Sequence, residues 1–508
     1  MKKLAVVVAG LLVLTGCSFV ETENVSYPVQ TEENVQNSEQ TEDVSLSEES
    51  PSVIESEPAP ETESVDAPIV EEEVVQENVQ VSEPRETETA LPEPSEAPTV
   101  NAPIVEDESE YDLSYEIVDD SICKLREVSS HRSSGPWPLS SSFPRADWLS
   151  LPLVGTINVK VVFIEWDDLR GTRDDYDYNL WSAEMFSEFY RVMSEGKLNL
   201  EVTSEPNWIS VGPSWKDDII PAGMEGGSWQ SRQYLQPFID QIISSVDSSI
   251  DFTGVDVILF GTPSAKTVVD ALHVFDHSEV YAKTKEGTVS NMFSLGKRVY
   301  DNRESLPGWV QYSHEFGHSL GLPDLRDWSN SDKNTKYIVN PMYGHDIMDN
   351  QDAGSRSISG WLKWVQGWLN DSQVTCLEGS NINHEYYELN SANIVGAANE
   401  LITVKISDTK LLAIESTRWD NRFDLRTNHL VDGVIVYIVD AKRGHHEGPL
   451  KLLSPRDITK YLSDSHIWPD WRVLDVVLLQ GDSVSFGGIT IKVEASHSSK
   501  DIISISSK

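Results

Sequence analysis

"HEFGHSLGLPDL", residues 314–325, decides how this chain is read. Residues four apart on an α-helix differ by about 40° in rotation and about 6 Å along the axis. His314 and His318 therefore project from one face and can place two imidazole nitrogens on one cation, with Glu315 on the neighbouring face. Gly321 suits a left-handed helix end, and Pro323 keeps the helix from resuming. The chain then bends back and brings Asp324 to the histidines as a third ligand. Two neutral nitrogens, a carboxylate oxygen and an adjacent carboxylate base make up the donor set of a catalytic zinc site, where the base takes a proton from water. His-Glu-x-x-His alone is a weak pattern. The added glycine and aspartate make it specific.

A compact ligand set of this kind needs a floor under the metal, and "YGHDIMDN" (343–350) offers Met348 in a polar, turn-prone setting. Met342 in "NPMYG" is the rival, and Met348 is preferred for its surroundings. Tyr343 and His345 lie near this turn and are candidates for steadying an oxyanion or contacting substrate.

Around the motif the pattern is strand, helix, strand, helix, strand. "INVKVVFIEW" (157–166) reads as a buried strand, and "LWSAEMFSEFYRVMSEGK" (180–197) as an amphipathic helix with Met185, Phe189 and Met193 on one face. "SRQYLQPFIDQIISSVDSSIDF" reads as a second helix and "VDVILFGTP" as another buried strand. These predict an α/β domain over 111–375 with a mixed sheet and an active-site helix. Beyond it, "YYELN", "ELITVKI", "KLLAIES", "GVIVYIVD", "VLDVVLL", "SVSF" and "ITIKVEA" predict a β-rich, sandwich-like module over 376–508.

The start of the chain is of another kind. A basic Met1-Lys2-Lys3, a short apolar run and "LTGC" have the form of a secretory signal over 1–17, and its final cysteine is that of a lipoprotein, with Cys17 acylated. The run is too short to span a bilayer. Residues 18–110 hold 27 acidic residues against one basic, Arg85, and "VDAPIVEEE" (65–73) returns as "VNAPIVEDE" (100–108). Such a segment buries too little apolar surface to offset its ordering entropy, and is expected to be a disordered tether. The whole chain carries −44 and residues 111–508 carry −20, which argues against nucleic-acid binding. The expected protein is exported, a monomer, and anchored by lipid to the cell membrane or an outer membrane.

Two cysteines remain. In an oxidising compartment Cys123 and Cys376 most simply pair with each other; the other reading has Cys123 capping the metal as a thiolate. "EWDDLRGTRDDYDYN" (165–179) offers Asp167, Asp168, Asp174, Asp175 and Asp177, hard oxygens that suit a structural calcium.

Taken together, the zinc motif, "HDIMDN", "SISGWLKWVQGWL" (357–369) and "ESTRWDNRFDLRTNHLVDGVIVYIVD" (415–440) resemble the immune inhibitor A family of metzincin metallopeptidases. The resemblance covers about residues 140–495 and is most specific at the zinc motif. It implies a metzincin-type fold and a zinc-dependent endopeptidase acting on extracellular proteins. It also implies one catalytic zinc and often calcium. On the matching positions His314, His318 and Asp324 are the ligands, Glu315 the general base and Met348 the turn methionine. Arg326 stands where the family commonly has tyrosine, which would alter the site rim. The expected tether offers no obvious folded inhibitory prodomain, which speaks against activation by propeptide removal. Two alternatives keep the scaffold: a catalytically retired surface binding or adhesion protein, and a peptidase directed at glycosylated surface proteins or peptidoglycan-linked peptides.

Overall fold

The computed structural model describes residues 111–508 apart from 112, 114–118, 130–138, 146–148, 216–228, 265–272, 275–279, 328–339, 352–354, 393–395, 421, 425–431 and 457–475. Cys17 and the segment 18–110 lie outside the described residues.

The first half runs β1 (Gly155–Glu165), α1 (Arg173–Met193), β2 (Leu198–Ser204), β3 (Ile209–Ser210), α2 (Trp229–Val246), β4 (Val257–Gly261) and β5 (His273–Val274). A short hairpin, β6 (Ala282–Lys283) and β7 (Thr288–Val289), leads to β8 (Asn291–Ser294), α3 (Lys297–Asp301), α4 (Gly308–Ser319) and α5 (Gly360–Val365). The main sheet has the order β2-β1-β4-β8-β5, with β3 paired to the end of β1. Its neighbours are parallel except for β5, which runs antiparallel to β8 at one edge. Both faces are covered, so β1 reads as a nearly unbroken apolar run. Val159, Val161 and Phe163 join the core that holds α1 and α4, while Val162 and Ile164 join the one that holds α2.

Helix α1 begins seven residues before the sequence reading placed it, because Thr172 and Asp175 form a capping box. Its buried stripe is Phe186, Phe189, Tyr190 and Met193, so Met185 is only half-buried. Here the expected calcium loop needs correction. Asp175 is that capping residue, and Asp177 and Asp174 pair with Arg173 and Arg303. Asp167 accepts from Arg170 and Ser210, and Asp168 from Ser214 and the Trp215 amide. The five carboxylates are engaged around a helix start and its turn, and among the described residues no three of them bring ligand atoms together.

The second half is β9 (Val374–Glu378), β10 (Glu385–Asn390), β11 (Leu401–Ser407), β12 (Lys410–Thr417), β13 (Gly433–Asp440), β14 (Leu450–Leu452), β15 (Ser483–Phe486), β16 (Ile489–Ser496) and β17 (Lys500–Ser507). A five-stranded sheet β14-β13-β12-β11-β9 packs on a four-stranded sheet β10-β17-β16-β15 around Leu412, Ile414, Val436, Ile491 and Ile503. Of "VLDVVLL", residues 476–479 are described and form no strand, although Leu478 bridges Val434. The strand β17 was not foreseen.

The five-stranded sheet is buried on its other face too. Leu411, Ala413, Ile435, Tyr437 and Val439 share one apolar core with Trp361 of α5 and with α4. Tyr437 Oη accepts from the Trp361 amide at 3.1 Å, and Glu415 Oε2 from that of Gly360 at 2.9 Å. The expected boundary at 375/376 thus falls inside β9 and against a shared core. Cys123 and Cys376 form a disulfide, so Cys123 is no metal cap. Closing so long a loop stabilises the folded state by about 5.5 kcal/mol on the chain-entropy account.

Glu400, buried just before β11, shares the Gln373 amide nitrogen with Glu195. Burial, and then the like charge of Glu195, push the Glu400 carboxyl from 4.5 up to about 8. The folded state keeps a proton that the unfolded chain has shed. This contribution is full below pH 4.5 and is lost as pH rises through 8. Glu400→Gln keeps an acceptor for Gln373 and cannot ionise. It is expected to melt several degrees above the parent at about pH 9 and together with it at about pH 4, followed by circular dichroism.

Candidate metal centre

All twelve residues of α4 are buried. The helix is wedged between α1 and β8 by Phe186, Tyr190 and Phe293 against Phe316, and Tyr190 Oη donates to the Ser313 carbonyl at 2.6 Å. Its end follows the sequence reading. Gly321 has φ +87°, and the Leu322 and Gly321 amides donate back to the Gly317 and His318 carbonyls, the bonds of a Schellman motif. A Cβ on Gly317 would lie 2.7 Å from Met348 Sδ, closer than side chains approach, so glycine lets the turn methionine seat directly under the helix.

Among the described residues, two groups of three bring potential ligand atoms within 4.8 Å of one another: His314, Glu315 and His318; and Asp324, His445 and His446. His314 Nδ1 lies 2.8 Å from the Ile347 carbonyl and His318 Nδ1 2.8 Å from that of Leu322. A carbonyl only accepts, so each Nδ1 carries a proton, and in the neutral ring Nε2 is the nitrogen left for a metal; in the metal-free site burial opposes the charged His314 imidazole, but Asp324 and Glu315 raise it above its ordinary value. His314 Nε2 faces Asp324 Oδ1 at 3.3 Å, and His318 Nε2 lies 3.8 Å from Oδ2. His314 Nε2 and Asp324 Oδ1 are buried without a hydrogen-bond partner. Two inward lone pairs facing each other in a dry site are what a cation relieves. Two imidazoles and one carboxylate fit zinc.

The electrostatics agree. Burial alone would raise the Asp324 carboxyl, but His318 and His446 hold it well below the usual carboxylate range. Burial would likewise raise Glu315, yet His273, His314 and His318 bring it down to about 2. His273, on the edge strand β5, reaches Glu315 Oε2 with Nδ1 at 3.0 Å. The Gly296 amide donates to Gln311 Oε1 at 3.3 Å, which turns the Gln311 amide nitrogen to His273 Nε2 at 3.1 Å. Gln311 Nε2 only donates, so His273 Nε2 accepts and Nδ1–H points at the Glu315 carboxylate.

The turn at 342–349 is pinned by its own carboxylates. Asp346 accepts from the Met348 and Ser359 amides, and Asp349 from that of Gly344. Tyr343 (φ +50°) and His345 are buried in this turn. Arg326 does not stand on a rim as expected: it is 7% exposed, and its Nε donates to the Asp349 carbonyl beneath the turn.

His273, His445 and His446 were missed by sequence reasoning. "GHHEG" (444–448) is a visible paired-histidine signal, but nothing local ties it to a motif over a hundred residues upstream.

No protein-family model and no curated protein matches the sequence. Among solved structures, catalytically inactive OgpA from Akkermansia muciniphila in complex with an O-glycopeptide (glycodrosocin) substrate is 10% identical with a TM-score of 0.21, covering 62% of this chain and 96% of that one. Wild-type OgpA from the same organism is 11% identical with a TM-score of 0.20, over 62% and 96%. Likenesses of that size carry no weight for fold or function.

Proposed function

We propose that this protein is a metzincin-like zinc endopeptidase, similar to the immune inhibitor A peptidases, exported and lipid-anchored through Cys17. The observation that carries the reading is the buried pair His314 Nε2 and Asp324 Oδ1, facing each other without a hydrogen bond, beside an ionised Glu315. His314, His318 and Asp324 would hold the ion. Bound there, zinc supplies a Lewis acid that polarises a peptide carbonyl and acidifies water. Glu315 accepts the proton of the attacking water and returns it to the departing amine. His273 donates to Glu315 Oε2 and fixes the carboxylate's rotamer, with Gln311 setting the tautomer. Among the described residues no helix is long and apolar enough to cross a membrane. An adhesion role on a retired scaffold is the weaker reading, because Glu315 keeps both its burial and its partner.

The test is cleavage of an unfolded protein such as casein. The zinc-loaded protein is expected to cleave it, to stop when the metal is chelated, and to resume when zinc is restored. A protein that binds zinc stoichiometrically but cleaves no unfolded substrate would favour the adhesion role.

A further inference from the structure

We propose that His446 is a positioning residue of the metal centre, lent by the β-rich module: it holds Asp324 Oδ2 and so presents Oδ1 to the metal. The inference rests on the metal-centre reading above.

The β13–β14 loop grips the third ligand at several points. His446 Nε2 lies 2.7 Å from Asp324 Oδ2, and a carboxylate only accepts, so Nε2 carries the proton. The His446 amide donates to the Asp324 carbonyl at 3.1 Å, and the Asp324 amide donates to His445 Nδ1 at 3.0 Å. One turn on, the Gly448 amide donates to the Arg326 carbonyl at 3.1 Å, and Arg443 pairs with Asp327 at 3.1 Å. The His445 ring lies against that of His446, tilted by 40° with centroids 3.7 Å apart.

His446 sits at φ +61°, a left-handed conformation that glycine adopts freely and that, among other residues, histidine, asparagine and aspartate adopt most often. Within the trio Asp324, His445 and His446, the His445 Nδ1 is engaged by the Asp324 amide and the His446 Nε2 by the carboxylate, so these two nitrogens serve Asp324.

Asp324 needs this help. It lies past the end of α4, where no helix fixes its side chain, and a free carboxylate could turn and present both oxygens. With Oδ2 engaged, one oxygen remains for the metal, which keeps a coordination position open for substrate.

The experiment is zinc affinity of the whole protein, by competition with a chromogenic chelator, for the parent, His446→Gly and His446→Asn. Glycine accepts the left-handed backbone, so His446→Gly is expected to fold like the parent by circular dichroism. Its zinc affinity is expected to fall about 10- to 100-fold, the usual effect of losing such a partner. Asparagine also tolerates the backbone, but its amide falls short of Asp324, and affinity is again expected to drop. Parent-like affinity in folded His446→Gly, within about twofold, overturns the assignment; if that variant does not fold, the same result in His446→Asn does. A parent that binds no zinc overturns the metal centre itself, whereas zinc binding without casein cleavage removes only the peptidase reading.

Discussion

Glu315→Gln will retain zinc and lose peptide hydrolysis by about 10²–10⁴-fold in kcat, the range for removing a positioned general base. Glutamine has the shape of glutamate, still accepts from His273, and leaves His314, His318 and Asp324 untouched; only proton acceptance is lost. The substitution has a second signature. Histidines 273, 314 and 318 outweigh burial and hold the carboxyl at about 2 against an ordinary 4.5. A depressed folded value means that, without metal, the ionised carboxylate stabilises the fold above pH 4.5 and ceases to as pH falls through 2. The metal-free variant is therefore expected to melt below the parent at neutral pH, not above it. Metal content by atomic absorption beside kcat and melting temperature checks all three. Unchanged kcat at full zinc content would move the base to another residue.

Ending the chain at residue 375 will leave a protein that neither folds cooperatively nor binds zinc. The cut strips the apolar face of Ile435, Tyr437 and Val439 from α5, removes the acceptors of the Gly360 and Trp361 amides, and deletes the disulfide partner of Cys123. Several large buried side chains then face water, each worth about 1.5–3 kcal/mol, against a typical total stability of about 5–15 kcal/mol. The clamp on Asp324 goes with the same cut. Near-ultraviolet circular dichroism and a zinc titration of fragment 111–375 would show it. A fragment with native-like spectra and one tightly held zinc would make the β-rich module an appendage.

What the sequence could reveal about the centre was set by distance along the chain. Residues 314–324 sit on one helix and its cap, so helical spacing, the left-handed glycine and the proline bring two imidazoles and a carboxylate together without tertiary information. Met348 was reached because the turn follows shortly after. His273 and the pair His445–His446 come from an edge strand and from the β13–β14 loop, and only sheet order brings them to Glu315 and Asp324. The misread aspartates have a different cause. "TRDD" (172–175) is both an acidic run and a helix start, and its T-x-x-D spacing serves a capping box as readily as it suggests calcium ligands. The mixed sheet was legible from buried β-branched runs; β17, "KDIISISS", was hidden by its serines.

The disulfide also decides where mechanical load enters the molecule. A pull on the chain before Cys123 is borne at that residue and passes through the covalent bond to β9, the outer strand of the five-stranded sheet. The backbone that continues from Cys123 toward β1 shares that pull with the cross-link, so the load is divided between two sheets and is not carried by one strand alone.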